Sequence, residues 1–162
     1  MIAGSRARGI PLASHDDTEV GHVEQAQRER IGLSEFPTTV AAAQAARAAG
    51  IGIIMGGPNL VQGGSHSGNV AASDLAQRDL LDIMSSDYVP SSLLQSAFLL
   101  RDRLGWALPK AVNTVSRNPA QAIALDDRGE IVGGKRADLL RVREVNGMPV
   151  VRGAWCRGER AY

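Results

Sequence analysis

Hydroxyl, amide and imidazole groups are concentrated in one glycine-rich segment of this 162-residue chain, over residues 56–69. The segment directly follows an apolar run at residues 51–55. Because glycine and proline disfavour regular structure, we predict a loop over the whole segment, either anion-binding or a plain surface loop. Glycine lets backbone N–H groups approach an anion closely, and side-chain donors add to them. The candidate phosphate-binding residues are Gly63, Gly64, Ser65, His66, Ser67 and Asn69.

Charged side chains stand at the ends of three other short apolar runs. His15, Asp16 and Asp17 follow the first run, Glu35 ends the second, and Asp87 follows the fourth. The carboxyl ends of parallel strands in an α/β barrel meet at one rim, where histidine and carboxylate groups can hold a divalent metal and activate water. The alternatives are that Asp87 caps the next helix, and that Asp16 and Asp17 either orient His15 or cap a helix.

The elements that would position these groups repeat a strand–helix pattern. We predict buried strands over residues 10–14, 33–36, 51–55 and 81–85. Each is followed by a predicted helix, over residues 18–31, 40–49, 70–79 and 90–104, with Thr18 as the expected cap of the first. This alternation is typical of a parallel sheet with crossover helices, the α/β class.

The pattern changes near residue 125, after two short predicted helices over residues 109–115 and 119–124. Asn146-Gly147 marks a hairpin turn, and strands are predicted over residues 130–132, 137–142, 149–152 and 154–157. We therefore expect a partial (β/α) barrel over residues 1–125 and a small antiparallel β unit over residues 126–162. Four βα units make half of an eightfold barrel, so we expect a missing N-terminal half or a homo-oligomer.

Composition excludes several classes of partner. The net charge is only +1, and no basic stripe is interleaved with the sparse aromatic residues, which disfavours nucleic acid as a ligand. Apolar runs are too short for a membrane span, and no signal peptide is recognisable. The single cysteine, Cys156, excludes an internal disulfide and fits a cytoplasmic protein.

Four stretches resemble the phosphonate-metabolism branch of the amidohydrolase superfamily. They are ASHDDT at residues 13–18, EFPTT at 35–39, GGSHSGN at 63–69 and SSDY at 85–88. The passage from Asn118-Pro119-Ala120 into residues 129–139 is similar to the superfamily's transition from the last barrel helix into its small β domain.

The resemblance implies the C-terminal half of a (β/α)8 metallo-hydrolase barrel, strands five to eight, followed by part of a composite β domain. It implies one or two divalent ions, Zn or Mn, with His15 and Asp87 as ligands. Asp87 would also take a proton from the attacking water. Asp16, Asp17 and Glu35 would lie behind the ligands, and Glu35 stands where many amidohydrolases place a histidine.

The implied substrate is a small phosphorylated sugar phosphonate. The implied activity is hydrolysis of the triphosphate of a ribose 1-phosphonate, which leaves the 5-phosphate and releases diphosphate. Two alternatives remain open. One is an amidohydrolase that cleaves a C–N bond, such as a cyclic-amide hydrolase or a deaminase, and the other is a non-catalytic fragment.

Overall fold

Parallel strands alternate with helices in the first two-thirds of the chain, and a small antiparallel sheet follows. The computed structural model describes residues 2–65 and 67–162, so His66 lies outside the described residues. Within that part, the parallel sheet has the spatial order β1 (Ala13–His15), β2 (Leu33–Glu35), β3 (Gly52–Gly56) and β4 (Ile83–Ser85). All three neighbouring pairs are parallel. The predicted α/β class and the four parallel βα units are confirmed.

Helices connect the strands and continue after β4. They are α1 (Ile2–Ala7), α2 (Val20–Arg28), α3 (Val40–Ala48), α4 (Gly57–Gln62), α5 (Ala72–Gln77), α6 (Ser92–Leu104), α7 (Leu108–Asn113) and α8 (Arg117–Ala122). The Ala-rich α3 begins after Thr39, whose hydroxyl accepts from the backbone N–H of Ala42. Its buried face and β3 form the centre of the core, with Ala42, Ala43 and Ile53 fully inaccessible. None of the described helices has the length and apolarity needed to cross a membrane.

The predicted cap of α2 is wrong. The helix begins after Glu19, not after Thr18, and no side chain caps it. The Thr18 hydroxyl is used elsewhere, because it donates to the carbonyl of Asp16 and accepts from the Thr38 hydroxyl at 2.8 Å. The Thr18 backbone N–H donates to His22 Nδ1 at 3.1 Å, which ties the chain before the helix to its first turn.

The prediction of one long loop over residues 56–69 is also wrong in its first half. Residues 57–62 form α4, with Pro58 in the first turn, where a missing N–H costs nothing, and Gly63 in the left-handed conformation that ends helices. Gly57 is required by a close contact between helices. A Cβ at this position would lie 2.3 Å from Ser92 Oγ and 3.1 Å from Ser96 Oγ, both on α6.

The antiparallel sheet contains β5 (Leu139–Val145), β6 (Met148–Cys156) and β7 (Glu159–Arg160). The hairpin turn at Asn146-Gly147 has φ of 50° and 76°, the two positive values of a type I′ turn. The predicted strand at residues 130–132 is absent from the described structure, where this segment is irregular and Ile131 is 88% exposed. The two strands predicted at 149–152 and 154–157 are one strand, because a register shift opposite Arg141 and Val142 absorbs the irregularity without ending the pairing.

Candidate functional site at the carboxyl ends of the parallel strands

A cleft of about 260 Å³ lies at the carboxyl ends of the parallel strands. Its walls come from the segments that follow all four strands, including Asp16, Phe36, Gly56 and Asp87. The glycine-rich turn contributes Gly64, Ser65, Ser67 and Asn69 to the same cleft. The structure therefore brings the predicted anion-binding segment and two of the predicted acidic residues to one cavity.

Three non-glycine residues on this rim have left-handed backbone conformations. Asp16, Phe36 and Asp87 have φ of 58°, 56° and 50°, and each follows a strand of the parallel sheet. Such conformations are uncommon outside glycine and concentrate at binding and catalytic sites. Two of them are held by hydrogen bonds that extend the sheet: Asp16 N–H donates to Glu35 O, and Phe36 N–H donates to Ile54 O, both at 2.9 Å.

His15 is held from three directions at the end of β1. Its Nδ1 lies 3.0 Å from Asp16 Oδ2, and its Nε2 lies 4.0 Å from Glu35 Oε2. The ring also meets Phe36 edge to face, with centroids 5.3 Å apart. The His15 side chain remains 57% exposed. Asp16 thus occupies the place of a group that orients His15.

Asp87 lies at the other side of the rim, after β4. It does not cap α6, whose N-cap is Ser91. Instead, its carboxylate lies over the end of β3, where a Cβ on Gly56 would come within 3.1 Å of Asp87 Oδ2. Three strand spacings, roughly 14 Å along the sheet, separate the backbones of β1 and β4. The structure therefore places His15 and Asp87 on one rim without bringing them into contact.

Asn59, a residue that the sequence analysis missed, fixes the chain on both sides of the glycine turn after α4. Asn59 accepts from the backbone N–H of Ala72 at 2.8 Å through Oδ1, and its carbonyl accepts from Gly64 N–H at 2.9 Å. Asn59 therefore joins α4, the glycine turn and the start of α5. Because it sits in a segment predicted to be irregular, only its place inside the glycine-rich stretch could have drawn attention to it.

Tyr88 and Gln62 were also missed. Both line the cleft, and Gln62 Nε2 donates to the Tyr88 hydroxyl at 3.4 Å. Tyr88 is 65% exposed, which is unusual for an aromatic residue without a packing role. The signal in the sequence was its position directly after Asp87.

The charge on the cleft wall is negative. Asp16 and Asp87 are the ionisable carboxyl groups among the described lining residues, and no lysine or arginine lines the cleft in this part of the chain. Carboxylates facing a wall of backbone and hydroxyl donors repel a phosphate unless a cation lies between them. The donor chemistry of the rim, an exposed imidazole and several carboxylates, is of the kind that a divalent metal takes as ligands.

The described residues supply only part of a coordination shell. No group of three or more His, Cys, Asp or Glu side chains is placed to hold a metal ion within residues 2–65 and 67–162. His22 is an unsuitable ligand as it stands, because its Nδ1 accepts from Thr18 N–H, which leaves the proton of a neutral ring on Nε2.

Among the described residues, Asp17 forms no side-chain hydrogen bond with His15 or with the first turn of α2. Its side chain is buried, and Oδ2 accepts from Ser14 Oγ at 2.5 Å and from Ser34 Oγ at 2.6 Å. Its carbonyl accepts from Thr38 N–H at 2.9 Å. Asp17 therefore connects the ends of β1 and β2.

Comparison with known proteins gives one close relative in sequence. The chain is 50% identical over 164 aligned residues to an alpha-D-ribose 1-methylphosphonate 5-triphosphate diphosphatase of Escherichia coli (strain K12). The alignment includes all of this chain but only 43% of the relative, so the chain spans less than half of that protein's length. No protein-family model matches the chain.

Solved structures share the fold at low sequence identity. An uncharacterized protein superposes with a TM-score of 0.73 at 17% identity, covering 99% of this chain and 47% of that one. The N-acetylglucosamine-6-phosphate deacetylase of Pasteurella multocida gives 0.69 at 15% identity, covering 98% and 52%. Molinate hydrolase gives 0.64 at 14% identity, covering 98% and 44%.

These structures establish the fold, and the sequence match identifies a more similar relative. The resemblance to the amidohydrolases is thus confirmed, and this chain is similar along its whole length to part of a ribose methylphosphonate triphosphate diphosphatase.

Proposed function

We propose that this chain forms the strand-five-to-eight portion of a cytoplasmic, metal-dependent hydrolase. Its substrate would be alpha-D-ribose 1-methylphosphonate 5-triphosphate, cleaved to the 5-phosphate and diphosphate. The observation that carries this proposal is the 50% identity to the diphosphatase over the whole chain. Residues 1–125 would be the barrel portion, and residues 126–162 would belong to the β domain.

The cleft supports an anionic substrate through its donor wall. Ser65, Ser67 and Asn69 line it together with Gly64. We assign Gly63, Gly64, Ser65, His66, Ser67 and Asn69 to the phosphate oxygens of the substrate. His66 is included on its sequence position alone, because it lies outside the described residues. Tyr88, which lines the cleft and is exposed, would contact the ribose.

The acidic wall would hold the metal side of the site. His15 and Asp87 would bind a divalent ion, and Asp16 and Glu35 would fix the orientation of the His15 ring. When bound, the metal supplies Lewis acidity to the phosphoryl group and lowers the pKa of a bound water. The Asp87 carboxylate would accept the proton of the attacking water, and the glycine turn would stabilise charge on the departing diphosphate.

The deciding experiment measures diphosphate release from the triphosphate substrate with and without EDTA. Since the chain spans 43% of its relative, it is tested alone and after mixing with the remaining portion of that relative. We expect metal-dependent release in the mixture, loss of it in Asp87→Asn, and no turnover of a cyclic amide. Hydrolysis of the cyclic amide instead would support C–N bond cleavage. No reaction in the mixture, while the intact relative is active, would support a non-catalytic fragment.

A further inference from the structure

Two of the polar stretches singled out in the sequence bind each other in the structure. Residues 14–18 include the end of β1 and the turn after it, and residues 34–39 include the end of β2 and the segment after it. Three side-chain hydrogen bonds join the two stretches. Thr38 Oγ1 donates to Thr18 Oγ1 and Thr39 Oγ1 donates to the Thr18 carbonyl, both at 2.8 Å. Ser14 and Ser34 both donate to Asp17 Oδ2. We call this set of bonds the β1–β2 tip network.

Asp17 is the buried centre of that network. It is 4% exposed and Ser34 is 0% exposed, so the carboxylate is removed from water and depends on the two hydroxyls. A buried carboxylate without a cation is costly unless hydrogen bonds satisfy it. Hydrogen bonds to a charged acceptor are stronger than those between neutral groups. The two serines are therefore held firmly in place.

The register of the strands connects this network to the site. Ser14 pairs with Ser34, and the next pair in the register is His15 with Glu35. Successive side chains of a strand point to opposite faces. Fixing the serine pair on the buried face therefore fixes the His15–Glu35 pair on the other face.

We propose that Asp17 is a positioning residue for His15. It sets the alignment of the β1 and β2 ends through Ser14 and Ser34, and thereby the place of the His15 ring between Asp16 and Glu35. The metal-binding consequence of this inference rests on the proposed function, but the positioning of the ring does not.

The test compares the wild type with one test variant and one control variant of the whole chain by imidazole ¹H–¹⁵N NMR. The chain has only three histidines, His15, His22 and His66, so their signals can be assigned by single substitution. Asp17→Asn keeps the shape of the side chain and weakens the acceptor. Asp82→Asn is the matched control. Asp82 directly precedes β4, on the opposite edge of the sheet, and also joins two strands, because its carboxylate accepts from Ile53 N–H at 2.8 Å.

We expect the His15 signals to shift in Asp17→Asn and to stay unchanged in Asp82→Asn. If Asp17→Asn does not fold, Ser34→Ala replaces it, with Ser96→Ala as control. Ser96 is equally buried, and its hydroxyl has no partner in the described structure. Unchanged His15 signals in a folded Asp17→Asn or Ser34→Ala variant would overturn the inference, as would equal shifts in the controls.

A second measurement separates this inference from the proposed function. Calorimetric titration with Zn²⁺ alone should give a Kd about 10-fold or more higher for Asp17→Asn than for the wild type, the usual effect of losing a group behind a ligand. If the wild type binds no Zn²⁺, the metal role of His15 fails, and the NMR result still decides whether Asp17 positions the ring. If Zn²⁺ binds equally well to both proteins, the metal-binding consequence of the inference is overturned.

Discussion

Substituting Gly57 by alanine should destabilise the protein, although the same change in most helices is favourable. Gly57 is the first residue of α4, and its φ does not lie in the left-handed region. Its backbone could therefore accommodate alanine. The obstacle is α6, because the new Cβ would lie 2.3 Å from Ser92 Oγ and 2.8 Å from Ser92 Cβ.

The magnitude follows from two opposing terms. Alanine gains up to about 1 kcal/mol over glycine inside a helix. Inserting a methyl group into a packed contact costs about 1–3 kcal/mol. Rotation about χ1 can move Ser92 Oγ but not its Cβ, so the clash persists in every rotamer and the upper part of that range applies. We expect a net loss of about 1–2 kcal/mol in the free energy of unfolding.

The assay is denaturant unfolding of Gly57→Ala beside Gly21→Ala. Gly21 also lies in a helix, α2, but a Cβ there would meet nothing within 4 Å. Gly21→Ala should therefore stabilise the protein by about 0.4–1 kcal/mol. Adding Ser92→Gly to Gly57→Ala should recover part of the loss. Equal stabilisation by both alanine substitutions would refute the close packing of α4 on α6.

Three further predictions concern the rim and the charges of the chain. Gly56→Ala should displace the Asp87 carboxylate by a few tenths of an ångström. We expect it to lower kcat/KM of the assembled enzyme with little change in Tm. A large fall in Tm would show that the contact is structural. His66→Ala should lower kcat/KM for the triphosphate substrate roughly 10- to 150-fold, because it removes one charge-assisted contact of about 1.5–3 kcal/mol. Unchanged kinetics would show that His66 does not belong to the site. The hydrogen bond from Lys110 lowers the pKa of Asp79. The pair therefore stabilises the fold fully at pH values above the ordinary pKa of aspartate, and this contribution is lost as the pH falls through the lowered pKa. Lys110→Met should therefore reduce the acid-induced drop in Tm, and an identical pH profile would contradict the pairing.

The alternation of strands and helices could be predicted because each element reflects a local pattern. The Ala-rich α3, its Thr39 cap and the Asn146-Gly147 turn depend on neighbours in the chain. The α4 helix could not be predicted in this way. The glycine at position 57 is needed because Ser92, 35 positions later, lies too close for a side chain there. Composition cannot distinguish a glycine that makes the chain flexible from one that permits close packing.

The same division holds for the site. The acidic and imidazole groups at strand ends are visible in the sequence because parallel strands place their carboxyl ends together. Asn59 and Gln62 were missed because their positions depend on α4. For Asp17 the sequence left two predictions open, orientation of His15 or a helix cap. It shows three polar residues in succession but not which of them faces the buried side of the sheet.

Because the cleft is negatively charged, the substrate that it can bind depends on whether a metal is bound. A triphosphate would enter a cavity whose described walls carry Asp16 and Asp87 and no lysine or arginine. Backbone and hydroxyl donors on the glycine turn can bind phosphate oxygens, but they cannot offset two carboxylates that line the same cavity. A neutral cyclic amide would meet no such repulsion. A divalent ion on His15 and Asp87 would offset the two negative charges of the lining. Metal-dependent binding of the triphosphate by the assembled protein would therefore distinguish phosphoryl transfer from C–N cleavage before any turnover is measured.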